Sequence, residues 1–195
     1  MTAPRRRGRP GHDQDAVLTA AVRLFNERGY DATSMYDIAV SLGITKSSVY
    51  HHISGKEQLL QMAMDQALDG LFEAADEVRD LELPALDRLE RLIQLCVIVL
   101  AERFEFVTVL LRVRGNTEVE QHALARRREF DAIVTDLVKQ AQAEGGVRPD
   151  VDPATAARLL LGMVNSLTEW YKPRHGGAEA MAGAVTTIAF EGLRL

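Results

Sequence analysis

The sequence predicts an all-α protein of about nine helices, with a small three-helix N-terminal domain followed by a larger helical one. Three observations carry this. Only 6 prolines interrupt 195 residues. Apolar residues recur mostly at three- and four-residue spacing, the period of a helix face. Runs of β-branched residues bounded by turn signals, the mark of strands, are few. With 47% hydrophobic and 26% charged residues, the chain can bury a sizeable core.

Residues 1–12 carry Arg5, Arg6, Arg7 and Arg9 among prolines and glycines with no helical period, which reads as a flexible basic arm. Arg7-Gly8-Arg9-Pro10 has the form of an AT-hook core, an extended element whose arginines enter the narrow, negative minor groove of A·T-rich DNA. A generic basic tail is the other reading, and both place the arm on DNA.

Residues 13–58 form the next unit. Asp13 or Asp15 starts a first helix whose inner face is Val17, Leu18, Ala21, Leu24 and Phe25, ending at Gly29. Thr33 or Ser34 caps a second helix and can also donate to a phosphate there. Met35, Ile38, Ala39 and Leu42 are its buried stripe, and Gly43 stops it because glycine enters the left-handed conformation freely. Thr45 caps a third helix that Val49 holds inward. Ala39, Gly43 and Val49 have helix-turn-helix spacing, so the exposed Lys46, Ser47, Ser48, Tyr50 and His51 can enter a major groove. An ordinary helical hairpin with a polar outer face is the alternative. His51 and His52 point about 100° apart on a helix and do not suit one metal ion, so no metal site is expected.

Ser54 and Glu57 have capping-box spacing, which predicts a fourth helix over about residues 56–81 with Lys56 near its N-terminus as a phosphate anchor. Gly43 to His52, followed by Gly55-Lys56-Glu57-Gln58-Leu59-Leu60, resembles the head of the TetR family of transcriptional repressors. Ile53 stands where an aromatic is usual and Gly55 where serine is more frequent. The resemblance implies that Lys46, Ser47 and Ser48 face bases or nearby backbone, and that Thr33, Tyr50, His51 and Lys56 contact phosphates. With Ser34, Thr45 and the four arm arginines these are the DNA-facing candidates.

Residues 59–195 form the larger domain, in which the resemblance implies effector binding and dimerisation. Leu83-Pro84 breaks the chain before a helix from about Ala85 that becomes apolar on every side, a pattern that demands surrounding core or a ligand cavity. A second apolar segment, Phe104 to Val113, precedes a long helix over about residues 117–144. Arg126-Arg127-Arg128 within that helix reads as a solvated stripe paired with Glu118, Glu120, Glu129 or Asp131. The rival reading has one or two of them, with Arg112 or Arg114, binding phosphates of a large anionic ligand. Asp152-Pro153 opens the penultimate helix, and Ala178 to Leu193 is the last. In the TetR family the last two helices form a symmetric dimer interface, which implies Ala157, Leu161, Val164, Leu167, Met181, Val185 and Ile188 here.

Glu169-Trp170-Tyr171-Lys172-Pro173, preceded by Asn165-Ser166-Leu167, is similar to the C-terminal half of TetR-type regulators that sense acyl-CoA thioesters. This implies an effector such as phenylacetyl-CoA or a fatty acyl-CoA. The candidate effector-binding residues are Leu100, Phe104, Val107, Leu111 and Arg112, with Arg127, Phe130, Asn165 and Trp170.

Charge and motifs bound the remaining classes. Net charge is -5, but residues 1–60 sum to +2 and the rest to -7, and local sign governs phosphate contact. No secretory signal follows the basic start, and the longest apolar run, Leu95 to Ala101, is far below the roughly 18 residues of a membrane span. Cys96 is the one cysteine, so no internal disulfide forms; a cytoplasmic protein is expected. No Gly-x-Ser-x-Gly, His-Glu-x-x-His, P-loop or Rossmann pattern is present, which argues against an enzyme, and no cofactor is expected. The expectation is a homodimeric, ligand-responsive repressor on a palindromic double-stranded DNA operator; the alternative is a ligand-independent DNA-binding or architectural helical dimer.

Overall fold

A computed structural model describes residues 14–51, 53–172 and 177–191. Nine α-helices and no strand lie among them. Arg5, Arg6, Arg7, Arg9, Asp13, His52 and Pro173 fall outside the described residues. The chain divides into two compact units, up to Met62 and from Ala63 onward. The division falls inside the fourth helix.

The first unit contains α1 (Gln14–Arg28), α2 (Met35–Leu42), α3 (Lys46–Tyr50) and the start of α4 (Lys56–Arg79). Val17, Leu18, Ala21, Leu24 and Phe25 of α1 are buried, with Ile38 and Ala39 of α2 packed against them. Both short helices are capped by side chains, each cap contributing about 1 kcal/mol. Ser34 and Asp37 form a reciprocal capping box at α2, and Thr45 accepts from the Ser48 N–H at α3 (3.2 Å). Gly43 sits at φ 65°, which lets the Ile44 N–H reach back to the Ala39 carbonyl at 3.1 Å. An L-residue there would strain the turn that sets α3 against α2. Val49, 0% exposed, then locks α3 inward, and Ile53, Leu59 and Leu60 complete this core.

One terminus differs from expectation. The Ser54 N–H and hydroxyl both donate to the Gln58 side-chain oxygen, at 2.6 and 2.8 Å, rather than pairing with Glu57. The Gln58 oxygen satisfies the Ser54 N–H, but the Ser54 hydroxyl donates rather than accepts, so no capping box forms.

The second unit holds the rest of α4, then α5 (Ala85–Glu102), α6 (Phe104–Arg112), α7 (Glu118–Ala143), α8 (Pro153–Trp170) and α9 (Ala178–Glu191). α5 is the hub: it packs against α7, α8 and α9, with Leu89, Leu92, Ile93, Cys96 and Val97 buried. Thr117 caps α7 and Asp152 caps α8, with Pro153 at its first position.

Three side chains pin the loops and α4 in this unit. Glu120, 6% exposed, accepts the backbone N–H groups of Arg114, Gly115 and Asn116 at 3.0, 2.8 and 3.0 Å, closing the α6–α7 loop. Burial works to raise its pKa, but the three N–H groups outweigh burial and hold it below the ordinary glutamate value. Arg103, between α5 and α6, lies on α4, donating to the Gln66 carbonyl and pairing with Glu73 at 3.2 Å. Gly70 permits this, because a Cβ there would stand 2.7 Å from the Arg103 Nη1. Arg126 forks onto Asp65 (2.9 Å) and Asp69 (2.7 Å) of α4, with its guanidinium 5.2 Å from the Phe72 ring centroid.

That geometry corrects the reading of Arg126-Arg127-Arg128 as one solvated stripe. Successive helical residues fan around the axis, so Arg126 meets α4, Arg127 turns toward an internal cavity and Arg128 is exposed. Glu120 is spent on the loop and pairs with none of them.

Candidate functional site

In the first unit the outer surface of α3 is polar and free of acids. Lys46, Ser47, Tyr50 and His51 are exposed, Ser48 is half-buried and Val49 faces in. Lys46 and Tyr50, one turn apart, lie together with the ammonium 5.7 Å from the ring centroid. The hydroxyls of Thr45, Ser47 and Ser48 cluster at 2.8–2.9 Å around the α3 N-terminus, where any of them can donate outward once the others reorient. Such a set of movable donors suits base edges or phosphates in a major groove.

Three of the expected phosphate contacts sit differently. Thr33 is 1% exposed and its hydroxyl donates to the Gly29 carbonyl at 2.8 Å, while its N–H donates to Tyr30 at 3.2 Å. It braces the α1–α2 turn and has no donor for DNA, which corrects that assignment. Ser34 is exposed, but its hydroxyl and its N–H (2.9 Å) both donate to Asp37, whose carboxyl those bonds hold below the usual carboxylate range. The α2 N-terminus thus already carries an anion, and Ser34 caps rather than reaches out. Lys56 donates to the Tyr30 carbonyl at 2.8 Å and lies 4.2 Å from the Tyr30 ring centroid, bridging α4 to the same turn. An ammonium has three donors, so part of its capacity stays available to a phosphate.

In the second unit a cavity of about 40 Å³ opens among the helices. Cys96 and Leu100 of α5, Val107, Leu110 and Leu111 of α6, and Leu71 of α4 make much of its apolar wall. α7 adds Arg127, Phe130 and Asp131, and α8 adds Leu161, Val164 and Asn165. Phe130 also stacks edge-on against Phe72 at 5.9 Å. Burial pushes the Arg127 guanidinium below its ordinary pKa, against the pull of Asp131. The Asp131 carboxyl is pushed up by the same desolvation, although Arg127 and Arg158 favour its ionised form. Burial also pushes the Cys96 thiol up to about 12, so it is a wall rather than a nucleophile.

Six of the nine residues proposed from sequence for the effector line this cavity: Leu100, Val107, Leu111, Arg127, Phe130 and Asn165. Phe104, Arg112 and Trp170 do not; Arg112 is exposed at the end of α6 and Trp170 is 60% exposed at the end of α8. Sequence reasoning missed Leu71, Cys96, Leu110 and Asp131. The i, i+4 relation of Cys96 to Leu100 and of Arg127 to Asp131 was the signal that could have found two of them.

The residues expected at a dimer interface also divide. Ala157, Val164, Leu167 and Val185 are buried within their own unit, and Leu161 and Val164 line the cavity. Side chains committed to the interior cannot meet a partner, which corrects the face chosen for α8. Besides Trp170, the outward apolar residues of α8 and α9 include Leu159 (66% exposed), Met163 (36%) and Ile188 (70%), which flank a shallow groove between the two helices. Met181 is half-buried.

A helix-turn-helix with an acid-free outer face, on a chain whose other unit encloses an apolar cavity, defines a DNA-binding regulator with a ligand-binding domain. Residues 17–63 match the family model for bacterial regulatory proteins of the tetR family, and residues 82–193 match that of the tetracyclin repressor-like C-terminal domain. A TetR-family member from Streptomyces coelicolor A3 has a crystal structure 48% identical in sequence, with TM-score 0.83, covering 92% of this chain and 91% of that one. The structure of AibR in complex with isovaleryl coenzyme A and operator DNA is 33% identical, with TM-score 0.75, over 91% of this chain and 97% of that one. The transcriptional repressor KstR2 of Mycolicibacterium smegmatis is 28% identical over 174 residues, 88% of this chain and 85% of that protein. The chain belongs to the TetR family and is a DNA-binding transcriptional repressor of that type, a regulator and not an enzyme.

Proposed function

We propose that this protein acts in the cytoplasm as a homodimer on a palindromic operator and that an acyl-CoA thioester releases it. The observation that carries the effector class is the likeness to AibR, whose complex holds both isovaleryl coenzyme A and operator DNA. An apolar cavity with a polar edge of Arg127, Asp131 and Asn165 supports an acyl chain ending in oxygen.

In this reading Lys46, Ser47 and Ser48 read bases, and Tyr50 and His51 hold phosphates. The outward faces of α8 and α9, through Leu159, Met163 and Ile188, pair the two copies. A dimer places its recognition helices about 34 Å apart, so half-sites one helical turn apart are expected. The effector acts only through differential affinity for the bound and released states.

Selection of duplexes from a random library supplies an operator, and mobility-shift titration then tests each role. Lys46→Ala and Tyr50→Ala are expected to weaken operator binding. Isovaleryl-CoA, phenylacetyl-CoA and octanoyl-CoA are then added to the wild-type complex. Release by one or more supports the effector reading; retention against all three favours a ligand-independent DNA-binding dimer.

A further inference from the structure

The first unit leaves few large apolar side chains in water. Among its described residues the exposed ones are Tyr36 (64%), Val40 (58%) and Tyr50, all on the helix-turn-helix pair rather than on α1 or the start of α4. Tyr50 belongs to the outer surface of α3. Tyr36 and Val40 belong to α2, and their side chains take no part in its caps or in the core beneath it.

At about 100° per residue, Tyr36 and Val40 fall within about 40° of one another around α2, and Gly43 follows on the same edge. Met35, Ile38 and Ala39 are buried to one side of that edge. Asp37 lies to the other side, turned toward the end of α1, where it pairs with Arg28 at 3.8 Å. The edge itself carries no acid. A Cβ on Gly43 would meet nothing within 4 Å, so the strip is open as far as the turn, beyond which lie Thr45 and the hydroxyl cluster at the α3 N-terminus.

Continuity with the α3 surface decides what covers this strip. In a helix-turn-helix the helix before the turn crosses the DNA backbone beside the groove that the next helix enters. An edge of α2 that leads into the turn therefore meets the same duplex. An isopropyl group and the body of a phenol ring offer no hydrogen bond to a base. The apolar group that a base edge presents in the major groove is the thymine C5-methyl.

We propose that Tyr36 and Val40 form a second, apolar reading edge beside α3, packing on thymine methyl groups of the operator half-site. The inference rests on the placement of α3 in the major groove and adds to what the half-site must contain.

Deoxyuridine lacks that methyl and is otherwise identical to thymidine. A selected operator is scanned by replacing each thymine with deoxyuridine at both symmetry-related positions. Each duplex is then titrated by mobility shift against wild type, Tyr36→Ala and Val40→Ala. At one or more positions the wild type is expected to lose about fourfold in affinity for each methyl removed. At those positions Tyr36→Ala or Val40→Ala starts weaker on the thymine duplex and loses nothing further on deoxyuridine.

Both side chains are exposed, so the variants should keep a Tm within about 2 °C of wild type. A larger fall in both makes the edge part of the fold and overturns the proposal. Wild-type operator affinity in both variants overturns it and leaves the edge to a protein partner. Deoxyuridine effects that are absent from wild type, or that persist unchanged in both variants, overturn it as well. If Lys46→Ala and Tyr50→Ala bind the operator as wild type does, the placement of α3 fails and this inference falls with it. If they weaken binding and the α2 variants do not, this inference alone falls.

Discussion

Replacing Glu120 tests whether one carboxylate closes the α6–α7 loop. Glu120 accepts three backbone N–H groups at 2.8–3.0 Å and is 6% exposed. Each such bond to a charged acceptor contributes about 1.5–3 kcal/mol when fully buried. Arg114 and Asn116 are exposed, so water can reach the loop once the carboxylate is gone, and about 1 kcal/mol per bond is the fitting figure. Glu120→Ala is therefore expected to cost about 3 kcal/mol, or about 6–12 °C in Tm for a chain of this size. Glu120→Gln keeps an acceptor oxygen and loses only the charge, at about 1 kcal/mol. Urea unfolding followed by the fluorescence of Trp170, the one tryptophan of the chain, reads the second unit directly. The pH dependence has a definite sign. The folded pKa of Glu120 lies below the unfolded value of 4.5, so its contribution is complete above that pH and is lost as pH falls through the folded value. The stability gap between wild type and Glu120→Gln should thus hold at neutral pH and close in acid. A Tm for Glu120→Ala within about 2 °C of wild type would refute the reasoning, as would a gap unchanged down to about pH 3.

Arg126→Met removes the fork onto Asp65 and Asp69, both partly exposed, and should lower Tm by about 2–4 °C, the shift for roughly 1 kcal/mol. Combined with Asp65→Asn and Asp69→Asn its effect should be clearly sub-additive; strict additivity would deny the pairing. Thr33→Val should destabilise the first unit by about 1 kcal/mol while leaving operator affinity at fixed salt within about twofold of wild type. A loss of about tenfold in the folded variant would restore Thr33 as a phosphate contact. Ile188→Glu places a charge on the outward face of α9 and should shift the sedimenting mass from dimer to monomer; an unaltered dimer rules out that face.

How legible the fold was depended on whether its determinants are local. Thr117 and Asp152 mark helix starts with side-chain caps, and Gly43 marks a stop with a backbone conformation; all three were readable because the partner is within four residues. Faces were harder. α9 mixes alanine, glycine, threonine and large apolar residues around its circumference, so spacing alone did not separate the buried Val185 from the exposed Ile188. In α8 the buried Val164 and the exposed Met163 are adjacent, and only the positions of α5 and α7 decide which one faces in. Thr33 could have capped α2, but its hydroxyl turns back to Gly29 while Ser34, one residue on, takes the cap. The arginine triplet was least readable. Its three environments are set by Asp65 and Asp69 some sixty residues earlier and by a cavity drawn from five helices.

Cys96 has a practical side. The chain carries one thiol, it is walled in beside the cavity, and burial keeps it protonated far above neutral pH. A fluorophore maleimide will therefore pass over it and couple to a cysteine introduced at an exposed position, with no need to alter the native residue. Slow alkylation of Cys96 in the unmutated protein then keeps time for another event, the transient parting of α5 from its neighbours.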